Sequence, residues 1–171
     1  MSLVVLLGGA RSGKSRLAVR LAGESGAPVV FVATGEAGDD EMAARIARHR
    51  DERPAGWTTV EEPRRLLGAV EAAPPESCLV VDCLSLWVAN LIEVAAVEAI
   101  EGEAGEAAAA AAARPGGTIA VTNEVGLGVV PATPLGRAYR DVLGRVNEAW
   151  VAAADEALFV VAGRALRLAD V

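Results

Sequence analysis

The chain starts with a short apolar segment that runs straight into a glycine-rich loop. Residues 3–7 (LVVLL) are continuously apolar, which is typical of a strand buried on both faces. The loop, residues 8–15 (GGARSGKS), matches the pattern G-x-x-x-x-G-K-[ST] at every fixed position, and residues 15–22 favour a helix. A strand, such a loop and a helix in this order predict an α/β fold with a phosphate site at the end of its first strand.

The glycine-rich loop predicts binding of a nucleoside triphosphate. Lys14 is the only lysine in the chain, and we expect its charge to contact the β- and γ-phosphates. The hydroxyl of Ser15 is the expected ligand of the Mg²⁺ that accompanies the nucleotide. Backbone N–H groups of the loop converge on the phosphates, so the predicted nucleotide ligands are Gly8, Gly9, Ala10, Arg11, Ser12, Gly13, Lys14 and Ser15.

Asp82 is the candidate for a second magnesium ligand. It closes a buried strand predicted over residues 78–82. Ligands of α/β folds bind at the carboxyl ends of the strands, where this carboxylate is expected to lie. The alternative is that Asp82 caps the helix predicted over residues 84–92.

The only histidine, His49, lies in a basic stretch of an otherwise acidic chain. Arg45, His49 and Arg53 share one side of a helix predicted over residues 39–51, although Arg53 lies beside Pro54, which ends that helix. Such a patch suits a polyphosphate, and a neutral imidazole near a triphosphate could attack the α-phosphorus. The alternative is a partly exposed histidine among solvated arginines that pair with neighbouring acids.

Apolar runs and helical stretches alternate along the rest of the chain. Strands are predicted over residues 29–33, 118–122 and, as the last strand, 157–162, with an extended piece over 57–62. A helix is predicted to start at Pro63, and another over residues 135–153 has Leu135 on its buried side. The alanine-rich segment 93–114 is helical by propensity but is also the expected place for a mobile or variable stretch. This alternation predicts a three-layer sandwich with a mostly parallel sheet, in a single domain over residues 1–171.

Composition excludes several classes of protein. The 16 basic and 23 acidic residues give a net charge of -7, which argues against a nucleic-acid partner. Cys78 and Cys83 match neither a zinc nor a disulfide pattern and are expected to be buried, reduced thiols. We see no secretory leader and no apolar run near the ~20 residues of a membrane span, so a cytoplasmic protein is expected.

Motifs along the chain resemble those of one family. Besides the glycine-rich loop, the matching segments are residues 33–34, 40–46, 49, 53–54, 57, 81–84, 90–91, 122–131 (TNEVGLGVVP) and 144–147 (GRVN). Residues 122–131 are far more specific than the loop alone. On these segments, which occur in the right order over nearly the whole length, the chain resembles the bifunctional adenosylcobinamide kinase/adenosylcobinamide-phosphate guanylyltransferase family of cobalamin biosynthesis.

The resemblance implies a transferase with a P-loop NTPase-like fold, two reactions and assembly as a homotrimer. One reaction phosphorylates adenosylcobinamide with ATP or GTP. The other transfers GMP from GTP, through a guanylylated histidine, to adenosylcobinamide phosphate, giving adenosylcobinamide-GDP and pyrophosphate. By this similarity His49 carries the GMP beside a catalytic Lys14, and the further nucleotide ligands are Thr34, Gly35, Glu36, Arg50, Asp51, Glu52, Arg53, Glu61 and Asp82.

One position departs from the family, and some alternatives stay open. Certain members carry a second histidine beside the reactive one, where this chain has Arg48, so His49 must act alone. Asn123 and Glu124 follow a strand and are substrate candidates, with Glu124 a possible base; alternatively they form a polar turn. Two other functions remain: a P-loop small-molecule kinase without a covalent intermediate, and a nucleotide switch without enzymatic activity.

Overall fold

The fold is a seven-stranded sheet, seen in a computed structural model that describes residues 3–51 and 53–169. The strands are β1 (Leu3–Leu7), β2 (Val29–Ala33), β3 (Thr58–Glu61), β4 (Cys78–Asp82), β5 (Thr118–Val121), β6 (Glu156–Val161) and β7 (Arg164–Arg167). Their order in the sheet is β3-β2-β4-β5-β1-β6-β7. All neighbouring pairs are parallel except β6 and β7, so the predicted mostly parallel sheet is confirmed.

Helices cover both faces of this sheet. They are α1 (Lys14–Glu24), α2 (Asp40–Asp51), α3 (Leu66–Ala72), α4 (Leu84–Leu91), α5 (Val97–Ala112) and α6 (Pro134–Ala152). Strand β1 contributes alternate side chains to the two sides: Leu3, Val5 and Leu7 pack with α3 to α6, whereas Leu6 packs with α1. The predicted three-layer arrangement is therefore confirmed.

The alanine-rich segment is part of the core. Within α5, Ala104, Ala107, Ala108 and Ala111 are buried, and the helix contacts both α3 and α6. Alanine has no side-chain entropy to lose, and its small methyl group lets neighbouring helices approach closely. The expectation of a mobile stretch here is therefore not supported.

Helix α3 begins three residues later than predicted. The carboxylate of Glu62 accepts the backbone N–H groups of Arg64 and Arg65, at 3.1 and 2.9 Å. These bonds stabilise a turn in place of the first helical residues and lower the pKa of Glu62. The carbonyl of Arg64 accepts the indole N–H of Trp87 at 2.9 Å, so it already has a hydrogen-bond partner outside a helix. The prediction that Pro63 starts the helix was wrong for this reason.

Two further expectations are corrected at the other end of the chain. The strand predicted as the last one is followed by β7, which pairs with it through a tight turn at Ala162 and Gly163, both with positive φ. Leu135, predicted on the buried side of α6, is exposed because it stands at the first turn of the helix. In the part of the chain that is described, no helix is long and apolar enough to cross a bilayer.

The sheet register brings the predicted site residues to one edge. Asp82, the last residue of β4, is in register with Ala33 of β2 on one side and with Val121 of β5 on the other. Leu6 of β1 is also paired with Val121. The glycine-rich loop, Asp82 and Asn123 therefore emerge at the same carboxyl edge.

Candidate active site

A cleft of about 760 Å³ opens at the carboxyl edge of the sheet. Its walls come from the glycine-rich loop, from the end of α2 and from the ends of β4 and β5. The lining residues are Ala10, Arg11, Ser12, Gly13, Lys14, Ser15, Arg16, Val19, Phe31, Arg48, His49, Arg53, Asp82, Cys83, Val121, Asn123, Ala162 and Gly163. Three predicted elements, the loop, His49 and Asp82, thus share one cleft.

The glycine-rich loop is shaped by two glycines that no other residue could replace without strain. A Cβ on Gly8 would lie 2.2 Å from the carbonyl oxygen of Val160. Gly13, which precedes α1, has φ 105°, a conformation that favours glycine. The turn between β6 and β7 supports the loop from behind, since the N–H of Gly163 donates to the carbonyl of Ser12 at 2.8 Å.

Lys14 is held at the centre of the loop. Its side chain is buried, and Nζ donates to the carbonyl oxygens of Gly8 and Gly9 at 2.9 and 2.7 Å. The Ser12 hydroxyl lies 3.5 Å from the same nitrogen. An ammonium fixed in this way, beside the N-terminus of α1, gives the cleft the concentrated positive charge that a polyphosphate requires.

The carboxylate of Asp82 and the hydroxyl of Ser15 are hydrogen-bonded neighbours, and both are candidate ligands of a metal ion. Burial raises the pKa of Asp82, while the adjacent Ser15 hydroxyl and the charges of its neighbours, including Arg53 and Lys14, act in the opposite direction. A hydroxyl next to a carboxylate is the donor set that Mg²⁺ uses when nucleotide phosphates and water complete its coordination. Among the side chains that the structure describes, no group of three or more His, Cys, Asp or Glu is suited to hold a metal, but a nucleotide-linked Mg²⁺ does not need one.

His49 lies in the last turn of α2 and lines the same cleft as the glycine-rich loop. Its side chain is half-buried and also lines a smaller recess, with Ser15, Gly35, Met42 and Ile46 among its neighbours there. The sequence alone gave no distance between the histidine and the loop. The fold brings the two together because α2 follows β2, whose carboxyl end lies at the same edge of the sheet as that of β1.

Several residues predicted to bind nucleotide lie away from the cleft lining. Thr34 is fully buried, and its hydroxyl is hydrogen-bonded to the backbone of Cys83. Glu36 pairs with Arg64 at 3.3 Å, and Arg50 pairs with Glu61, all on the surface. Gly35 lines only the smaller recess. Gly8 and Gly9 do not line the cleft, and their carbonyl oxygens accept hydrogen bonds from Lys14. The side chains of Arg45 and Asp51, and all of Glu52, lie outside the described residues.

The two substrate candidates differ in their surroundings. Asn123 lines the cleft, and its Nδ2 donates to the Ser85 hydroxyl at 2.8 Å. Glu124 turns back on its own loop, where its carboxylate accepts the N–H of Gly126. Behind Asn123, the buried Asn147 donates to its carbonyl at 3.0 Å and accepts the Thr122 hydroxyl at 2.7 Å.

Sequence reasoning missed three features of the cleft. Phe31 was read only as a strand residue, yet it lines the cleft beneath Arg53, whose guanidinium carbon lies 3.9 Å from the ring centroid. Cys83 also lines the cleft while remaining buried and free, which confirms the expectation of reduced thiols; burial raises its pKa to about 11. Gly163 was a missed turn signal, since glycine after an apolar strand favours a tight turn.

Comparisons with known proteins identify relatives over nearly the whole chain. Residues 4–168 match the family described as cobinamide kinase / cobinamide phosphate guanyltransferase. The bifunctional adenosylcobalamin biosynthesis protein CobP of Pseudomonas aeruginosa is 46% identical over 160 residues, covering 93% of this chain and 92% of its own. The bifunctional adenosylcobalamin biosynthesis protein CobU of Salmonella typhimurium is 41% identical over 180 residues, covering 97% and 99%.

A comparison of structures supports the fold independently of sequence. An ATPase from the type III secretion system of pathogenic bacteria superposes with a TM-score of 0.52 at 11% identity, over 92% of this chain and 50% of the other. At this identity the likeness concerns the fold alone, and it agrees with a P-loop NTPase-like α/β sandwich. With a family match over almost the entire chain, this protein belongs to the cobinamide kinase / cobinamide phosphate guanyltransferase family of transferases in cobalamin biosynthesis.

Proposed function

We propose that this enzyme phosphorylates adenosylcobinamide with ATP or GTP and then transfers GMP from GTP to the resulting phosphate through His49. The observation that carries the proposal is that His49 and the glycine-rich loop line one cleft. A kinase without a covalent intermediate would need the loop but would have no use for a histidine opposite it. Family membership is the second support.

In the phosphorylation step the chain mainly positions groups and neutralises charge. Lys14 and the N–H groups of the loop would hold the β- and γ-phosphates. Ser15 and Asp82 would hold Mg²⁺, which when bound neutralises charge on the phosphate oxygens. The aminopropanol hydroxyl of the corrinoid attacks the γ-phosphorus, and the bond from this phosphorus to the β–γ bridging oxygen breaks. ADP or GDP leaves with both electrons of that bond, and the hydroxyl proton passes to solvent water. Asn123 is the candidate to orient that hydroxyl, since it lies in the cleft with its amide fixed by Ser85.

In the guanylylation step a ring nitrogen of His49 attacks the α-phosphorus of GTP. The bond from this phosphorus to the α–β bridging oxygen breaks, and pyrophosphate leaves with both electrons of that bond. An oxygen of adenosylcobinamide phosphate then attacks the same phosphorus, and the P–N bond breaks to return the imidazole. Lys14 and the loop are suited to stabilise the charge on the departing pyrophosphate, and Arg53 is suited to contact the phosphates beside His49.

The homotrimer implied by the resemblance is part of this proposal. Residues 125–135, which follow Asn123, expose Leu127, Val129, Val130 and Leu135. Several large apolar side chains exposed on one segment are typical of a contact with another molecule. We expect light scattering to report three chains per particle, whereas a monomer at all concentrations would contradict the trimer.

Product analysis with two variants tests the two activities separately. With adenosylcobinamide, GTP and Mg²⁺, the wild-type protein is expected to form the phosphate first and the GDP derivative later. His49→Ala should accumulate the phosphate without the GDP derivative, and Lys14→Ala should lose both products because nucleotide binding is impaired. Formation of the GDP derivative by His49→Ala would refute the proposed covalent route.

A further inference from the structure

Arg53 enters the cleft with part of its hydrogen-bonding capacity unused. One terminal nitrogen, Nη1, donates to the Thr59 hydroxyl at 3.3 Å, which is a long bond. The Nε atom is buried and has no hydrogen-bond partner among the described residues. A guanidinium carries five N–H donors, so the terminal nitrogens of this side chain can still form the paired bonds that phosphate oxygens accept.

The face of Phe31 supports this guanidinium. The central carbon of the Arg53 guanidinium lies 3.9 Å from the ring centroid, well within the range of a cation–π contact. Phe31 is itself fixed, because it belongs to β2, is 2% exposed and stacks on Trp57 with ring centroids 6.4 Å apart. The ring therefore forms a rigid platform under a side chain that would otherwise be flexible.

The platform also opposes the cost of burying a charge. Burial lowers the pKa of Arg53, and the neighbouring Arg50 acts in the same direction, whereas Asp82 raises it. A ring face attracts the cation without neutralising it and without taking any of its N–H donors. Arg53 is thereby held charged, ordered and available at the cleft wall.

We propose that Phe31 is a positioning residue for nucleotide binding: its ring holds the Arg53 guanidinium in the orientation that contacts a phosphate of the bound nucleoside triphosphate. The inference rests on the proposed function only in taking a nucleoside triphosphate as the ligand of the cleft. Ordering Arg53 before binding spares the rotamer entropy that a loose arginine would lose on contact with phosphate. Phe31 acts through Arg53 and not on the reacting atoms.

A double-mutant cycle on nucleotide affinity tests this role. The probe is α,β-methylene GTP with Mg²⁺, titrated by calorimetry, because it cannot transfer GMP and its binding is independent of any corrinoid. Phe31→Leu is expected to raise Kd about 3- to 10-fold through loss of the cation–π contact. Arg53→Ala is expected to raise Kd about 10-fold or more through loss of a charge-assisted bond. The double variant should bind no more weakly than Arg53→Ala.

Matched variants separate positioning from packing. Phe159→Leu makes the same change at the only other phenylalanine, which packs against the core outside the cleft, and should leave Kd unchanged. Phe31→Tyr keeps a ring face and should bind α,β-methylene GTP with a Kd close to that of the wild-type protein. If Phe31→Leu does not fold, Trp57→Leu, which removes the support behind the ring, takes its place in the cycle with the same expected direction.

Three results would overturn the proposal. These are an unchanged Kd for folded Phe31→Leu, an equal loss in the wild-type and Arg53→Ala backgrounds, or an equal loss from Phe159→Leu. Each of these results concerns nucleotide affinity alone, so none of them would contradict the two proposed reactions. Conversely, a loss of guanylylation in the product assay would not contradict the proposed coupling of Phe31 and Arg53 in nucleotide binding.

Discussion

The hydroxyl of Thr34 is hydrogen-bonded to both backbone groups of Cys83: it accepts the N–H at 2.8 Å and donates to the carbonyl at 2.7 Å. Thr34 is fully buried at the end of β2, and Cys83 directly follows Asp82 at the end of β4. The two bonds therefore fix the point where β4 leaves the sheet, and with it the carboxylate of Asp82. We infer that Thr34 supports the proposed nucleotide site through Asp82.

Thr34→Val tests this support because valine has nearly the same shape but no hydroxyl. Two buried backbone groups of Cys83 would lose their partner, so the free energy of unfolding should fall by about 2–4 kcal/mol. Thr34→Ser keeps the hydroxyl and should recover most of the loss. Urea unfolding measures both. A Thr34→Val protein of unchanged stability that binds GTP weakly would instead indicate direct contact between the hydroxyl and the nucleotide.

Asn147 is expected to matter for the corrinoid more than for the nucleotide. Asn147→Ala leaves the Thr122 hydroxyl and the Asn123 carbonyl without their partner, which should cost about 1–3 kcal/mol of stability. Because Asn123 is then less firmly held, we expect KM for adenosylcobinamide to rise severalfold and the Kd for α,β-methylene GTP to change little.

A neighbouring residue provides the control for this change. Glu148 is exposed on the same helix, so Glu148→Ala should alter neither quantity. If Asn147→Ala weakens nucleotide and corrinoid equally while remaining folded, Asn123 is not the residue through which Asn147 acts.

Tyr139 gives a direct test of burial behind the cleft. It is the only tyrosine in the chain, its hydroxyl donates to the Ser85 carbonyl at 3.1 Å, and burial raises its pKa to about 12. The folded state thus holds the proton more tightly than the unfolded state, whose phenol titrates at about 10. The resulting contribution to stability is complete below about pH 10 and is lost as the pH rises through about 12.

Tyrosinate absorbance measures this titration directly, because the signal can come only from Tyr139. The folded protein should show little tyrosinate at about pH 10.5, while the protein in concentrated urea should be more than half ionised there. A folded-state midpoint near the urea value would mean that Tyr139 is exposed and does not hold Ser85.

Local patterns in the sequence were sufficient to predict most strands of the sheet and the glycine-rich loop. The apolar runs that became β1, β2, β4 and β5 and the fixed positions from Gly8 to Ser15 depend on a few neighbouring residues, so their signals are readable in one chain. Asp82 could be placed at the carboxyl edge because the carboxyl ends of parallel strands all lie at the same edge of the sheet.

Contacts between distant segments could not be predicted in the same way. Arg64 and Trp87 are 23 residues apart, and their hydrogen bond helps to delay the start of α3. The role of Thr34 depends on Cys83, 49 residues away, which no spacing rule relates to it. Phe31 was indistinguishable from any other residue of a buried strand until the fold brought Arg53 over its ring.

The central claim, that His49 carries GMP, is tested most directly by labelling. The protein is incubated with Mg²⁺ and GTP labelled at the α-phosphate, denatured and analysed for retained label. We predict an acid-labile, alkali-stable adduct, as expected of a phosphoramidate, in the wild-type protein and none in His49→Ala. Label retained by His49→Ala, or no label on a wild-type protein that still phosphorylates adenosylcobinamide, would contradict the claim.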